Sequence, residues 1–169
     1  MTESRKLLQH FLAALAYRTQ KALRDAPVGF GDLRVSPTSR TPHEIVWHMT
    51  GVIGYARTTL TGGKWKPDRQ DDLDAEIRRF HGVLEELAHD LDVSDGLDPE
   101  ILSRLLQGPM ADAMTHVGQL AYLRRLAGSP VPPENFMLAD VDSSRLGLEQ
   151  PLPRAQCRRA RSTGRACLR

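Results

Sequence analysis

Apolar residues recur along this chain at steps of three and four, the spacing of one face of an α-helix. Leu7, Leu8, Phe11, Leu12, Leu15, Ala22 and Leu23 predict a first helix over about residues 3–24. Leu73, Ile77, Phe80, Leu84, Leu87 and Leu91 alternate steps of four and three, a bundle seam over about residues 71–91. Between them, Thr41-Pro42-His43-Glu44 offers an N-cap hydroxyl, a proline at the first helical position and the glutamate of a capping box. The helix it starts should run to about Leu60, before Gly62-Gly63. Asp98-Pro99-Glu100 caps a short helix ending near Leu106, and Gly108-Pro109 restarts the chain into a last long helix that stops at Gly128. No strand-like alternation competes, so the expected fold is all-α: an antiparallel-type four-helix bundle with a short extra helix before the last long one.

Two of these helices carry polar groups on their apolar side. At about 100° per residue, Asp112 falls about 40° from His116, among Leu120, Leu123 and Ala113. On the second helix His48 shares a face with Tyr55, Val52 and Ile45, while Thr50, Arg57 and His43 point away. A carboxylate turned toward a core needs a partner or a metal. Two imidazoles and one carboxylate suit Zn, Ni or Fe(II), with the remaining positions open to water or substrate. A hydrogen-bonded Asp–His pair without metal, with Asp112 favouring the helix N-terminus, fits the same spacing. The word HEIVWH is not the zincin motif, because His43 and His48 are five residues apart, and His43 reads as a solvated first-turn residue. His81 flanks the third seam as the one further ligand candidate, His89 and His10 lie off the apolar faces, and Trp47 and Trp65 read as packing or rim residues. Arg124 and Arg125 suit a helix C-terminus.

Composition adds bounds. The chain has 169 residues, 40% of them hydrophobic, enough for one sizeable core. Six of the 23 basic residues are arginines in residues 151–169, which contain no acid, so the body keeps 17 basic against 21 acidic residues, a balance of −4. Residues 1–150 therefore read as a mildly acidic bundle and 151–169 as a disordered basic tail. That balance argues against a nucleic-acid-binding fold. Both cysteines, Cys157 and Cys167, lie in the tail, which leaves the body without a disulfide framework or a thiolate zinc site and suits a cytoplasmic protein. The first residues are too polar for a signal peptide, and no apolar run approaches the roughly 18 residues of a membrane span.

The segments TPHEIVWHMTGVIGYAR and GPMADAMTHVGQLAYLRRLAGSPVP together resemble the DinB-like (DinB/YfiT) metalloenzyme family, over about residues 7–139. The resemblance implies a four-helix bundle, often a homodimer, that holds a divalent metal with open coordination. His48 matches the family's helix-two ligand. In His116-Val117-Gly118-Gln119-Leu120, His116 matches the second histidine of the family's His-x3-His pair, and Gly118-Gln119-Leu120 matches the stretch after it. Asp112 stands where the first histidine is usual, so the implied ligand set is His48, Asp112 and His116 with one more negative charge. Characterised relatives include S-transferases and isomerases that use a low-molecular-weight thiol. The resemblance thus implies a metal-dependent thiol S-transferase acting on a small-molecule substrate. A non-catalytic metal-binding or stress-response bundle and an Fe(II)-dependent two-His-one-carboxylate enzyme are the alternatives.

Overall fold

The computed structural model describes residues 2–153. They form four long helices, α1 (Glu3–Leu23), α2 (Pro42–Thr61), α3 (Leu73–Val93) and α5 (Ala111–Leu126), with the short α4 (Pro99–Leu105) before the last. The described residues contain no strand, and the four long helices pack as a bundle. Each touches two neighbours. α2 lies against α3 and α5, and α1 against the other sides of the same two helices. α1 and α2 are thus diagonal, and residues 24–41 must cross one end of the bundle to join them. The basic tail expected over 151–169 lies, from residue 154 onward, outside the described residues.

The helix starts match their capping chemistry. Thr41 Oγ1 accepts from the Glu44 amide at 3.2 Å, and Glu44 Oε2 accepts from the Thr41 amide at 2.9 Å, a closed capping box. Asp98 caps α4 by accepting from the Glu100 amide. The entry to α5 differs from the restart expected at Gly108-Pro109. Leu106–Met110 form one π-helical turn, and Ala111 continues in helical geometry without a side-chain cap. A π turn leaves room for the proline, whose missing N–H would otherwise break the α-helical ladder. The helical path continues through the turn without stopping.

Ile77, Phe80, Leu84, Leu87 and Leu91 from α3 meet Leu12, Leu15 and Tyr17 from α1, Met49 and Ile53 from α2, and Leu120 and Leu123 from α5, all buried. Leu7, counted in the α1 stripe, is instead exposed. Four positions on α2 also depart from the helical-wheel expectation. Thr50 is buried and donates to Glu76 Oε1 at 2.8 Å, Arg57 pairs with Asp90 and Glu86 of α3, and His43 is buried, while Tyr55 faces outward. A wheel centred on His48 assumes one packed face, but α2 has two, one toward α5 and one toward α3.

Buried polar groups tie the connections down. Arg124, buried near the end of α5, donates to the carbonyls of Ala22, Arg24 and Asp25 and to Ser129, closing the C-terminus of α1. That is a more specific role than the dipole preference expected for it. His81 is buried on α3, and its Nδ1 lies 2.6 Å from the Leu146 carbonyl, where the neutral ring donates. It anchors the segment around Leu146 to α3 and takes no part in the His48 cluster. Burial pushes its imidazole below the usual value, against the opposing pull of that carbonyl.

This burial makes stability depend on pH. Unfolded His81 takes up its proton as pH falls through about 6.5, whereas the folded ring resists to lower pH. The unfolded state then binds more protons, so stability should decline as pH drops from about 6.5 toward the folded value and should be unaffected above it. His81→Gln, whose amide can still donate to Leu146, should flatten that slope in urea titrations across pH.

Candidate metal centre

α2 and α5 lie side by side, and His48 and the Asp112–His116 pair face each other across that contact. His48 Nε2 is 3.2 Å from Asp112 Oδ2, and His116 Nε2 is 3.5 Å from Asp112 Oδ1. The two imidazole rings meet edge to face, with centroids 4.7 Å apart at 85°. One ligand atom from each residue can be chosen so that all three lie within 4.8 Å of one another. Among the described residues this is the one group of histidine, cysteine and acidic side chains so assembled. The three positions singled out in the sequence are brought together, and His43, His81 and His89 are not among them.

The donor set fits a divalent ion. Bonds of about 2 Å in tetrahedral array place ligand atoms about 3.4 Å apart. The His–Asp separations of 3.2 and 3.5 Å run to different oxygens of Asp112, and with one atom from each residue the three lie within 4.8 Å, so the side chains would draw in around an ion. Burial is graded in a useful way. The His116 side chain is 10% exposed, His48 31% and Asp112 45%, so the imidazoles are held while the carboxylate side opens to solvent. Gln119, one turn beyond His116, fixes that ring: its Oε1 accepts from Nδ1–H at 2.8 Å. The lone pair of Nε2 is then aimed at Asp112. A bare nitrogen lone pair facing a carboxylate oxygen is repulsive until a proton or a cation lies between them. An outer hydrogen bond of this kind is how metal-binding histidines are held in the right tautomer.

His48 has the protonation state a ligand needs. Its pKa is pushed below the usual histidine value, first by burial, then by the Arg40 guanidinium and by the repulsion that a second protonated imidazole at His116 would exert, against the pull of Asp112. The 3.2 Å contact is then a hydrogen bond from Nε2–H of the neutral ring to the carboxylate, and a bound ion would take the place of that proton.

Next to the cluster is a cleft of about 480 Å³, and His48 is the member that lines it. Its far wall comes from the connection between α2 and α3. Trp65 folds back onto Gly54 so closely that a β-carbon there would overlap the indole. Trp47 donates from Nε1 to the Pro67 carbonyl at 3.2 Å. The same connection is pinned at its far end by Glu76, fully buried, which accepts from the Gln70 amide, from Thr50 and from Arg79. The sequence places Gln119 in the stretch after His116 and reads Trp47 and Trp65 as packing or rim residues, but it does not show the hydrogen bond of Gln119 or the loop's place beside the site. Gln119 had a readable signal, its three-residue spacing from His116, whereas the Trp65–Gly54 contact leaves no periodic trace.

Comparison with protein-family models, with curated proteins and with solved structures finds no match to the chain. Fold and site define its class: an all-α four-helix protein with a His-Asp-His group that could hold a metal ion. No helix among the described residues is long and apolar enough to cross a membrane.

Proposed function

We propose that this is a metal-dependent protein of the DinB-like kind, in which His48, Asp112 and His116 hold a divalent ion that activates a small thiol for transfer to an electrophilic substrate. The observation that carries the reading is the convergence of two imidazoles and one carboxylate from two helices, open to solvent on the carboxylate side. When bound, such an ion supplies the positive charge that favours thiolate over thiol at neutral pH. The chain's own residues supply the rest. His48 and His116 present imidazole nitrogens, Gln119 holds one ring in register, and the exposed side of Asp112 leaves an approach for a small molecule. Trp47 and Trp65 wall the adjoining cleft beside His48. Asp112 lowers the local positive field, so thiol activation should be weaker than with three histidines. A homodimer belongs to the same proposal.

Cobalt substitution tests it. Adding a low-molecular-weight thiol to the cobalt-loaded protein should produce a sulfur-to-metal charge-transfer band, and Asp112→His should strengthen thiol binding. If no thiol changes the spectrum while cobalt stays bound, the transferase reading fails. The two-nitrogen, one-oxygen donor set then favours an Fe(II) site or a bundle that only binds metal.

A further inference from the structure

The cleft beside His48 carries chemistry that the three ligands do not use. Its volume of about 480 Å³ suits a small organic molecule. Both tryptophans of the chain, Trp47 and Trp65, line it together with Val52 and Pro67. Three cations, Arg40, Lys66 and Arg69, line the same cleft, although the body of the chain is net acidic. The one acid there, Glu44, is already engaged. It accepts from Arg34 at 2.9 and 3.0 Å and from the Thr41 amide at 2.9 Å, with Arg69 at 3.6 Å. Arg40 and Lys66 make no hydrogen bond or ion pair among the described residues. Two uncommitted cations beside two indoles form a surface with two distinct affinities. Indole faces attract planar bodies, and a guanidinium or ammonium group attracts a carboxylate.

We propose that this cleft binds the electrophilic cosubstrate as a planar organic carboxylate, its flat body against Trp47 and Trp65 and its carboxylate toward Arg40 and Lys66. The ligand's role as cosubstrate rests on the metal-dependent reading above; the binding itself does not. The cleft's position puts the flat body next to His48, and so beside the proposed metal centre.

Tryptophan fluorescence reports on the site directly, because the chain has no tryptophan outside the cleft wall. The full-length protein is titrated with para-nitrobenzoate, a quenching planar carboxylate, and with para-nitrobenzyl alcohol, its neutral counterpart, in metal-free and zinc-loaded forms. Saturable quenching is expected, with the acid at least about tenfold tighter than the alcohol in both forms. In Arg40→Gln/Lys66→Gln, two exposed substitutions, that preference should vanish. Inorganic phosphate, which lacks the planar body, should leave the spectrum unchanged.

Several results would overturn the proposal: equal binding of acid and alcohol, no saturable quenching, a preference that survives the double substitution, or a spectral response to phosphate alone. A preference confined to the zinc-loaded form would overturn it too, by making the carboxylate a ligand of the ion. Failure of zinc to bind would count against the metal centre and leave the metal-free titration to decide this proposal.

Discussion

Replacing His116 by alanine should abolish stoichiometric binding of a divalent ion and leave the bundle helical. The triad offers three protein donors, and structural zinc sites of four donors are worth roughly 10–16 kcal/mol, so one donor is worth about 2.5–4 kcal/mol. Its removal should therefore weaken binding by about 50-fold to 1,000-fold. His116 contributes more than a donor atom, because its ring packs edge to face on His48 and is oriented by Gln119. Elemental analysis after dialysis, with circular dichroism as the folding control, reads the result. An unchanged metal content in the variant would remove His116 from the centre.

The second large effect concerns stability. Arg79→Met should destabilise the fold by about 3–5 kcal/mol, because it strands the Glu76 carboxylate without its bidentate partner in a fully buried site. Thr50 and the Gln70 amide would still bond to that carboxylate, but neither carries charge. Adding Glu76→Gln to Arg79→Met should recover part of the loss, since a neutral amide is cheaper to bury than an unpaired carboxylate. Urea unfolding of the single and double variants measures both. A cost below about 1 kcal/mol for Arg79→Met would show that the carboxylate is solvated in ways the closed interface does not suggest. The pair also bears on the cleft, because Glu76 and Arg79 fix the connection that carries Trp65 and Lys66; Arg79 donates to the Asp68 carbonyl as well.

The helices can be read from sequence where a local rule governs them. The α3 seam needs only the recurrence of Phe80, Leu84, Leu87 and Leu91, and the start of α2 needs only Thr41, Pro42 and Glu44. His48, Asp112 and His116 can be read as well, because a polar group on an apolar helical face raises the question of its partner. The features that sequence hides depend on which helices are neighbours. Thr50 and Arg57 point away from the core only if the face bearing His48 is the sole packed one, whereas α3 covers a second face. The burial of His43 and the carbonyl contacts of Arg124 likewise come from chain segments distant in sequence. The turn at Gly108-Pro109 misleads for a different reason. Glycine and proline mark a break in a regular α-helix, but a π turn passes through both.

X-ray absorption at the metal edge of the full-length protein, loaded with one equivalent of zinc, tests the central claim most directly. The expected first shell has two imidazole nitrogens and one carboxylate oxygen at about 2.0–2.2 Å, with the outer-shell scattering of two histidine rings, and it loses one ring in His48→Ala. A protein that fails to retain zinc, or a retained ion whose shell lacks imidazole scattering, would contradict the assignment of His48, Asp112 and His116 as its metal centre.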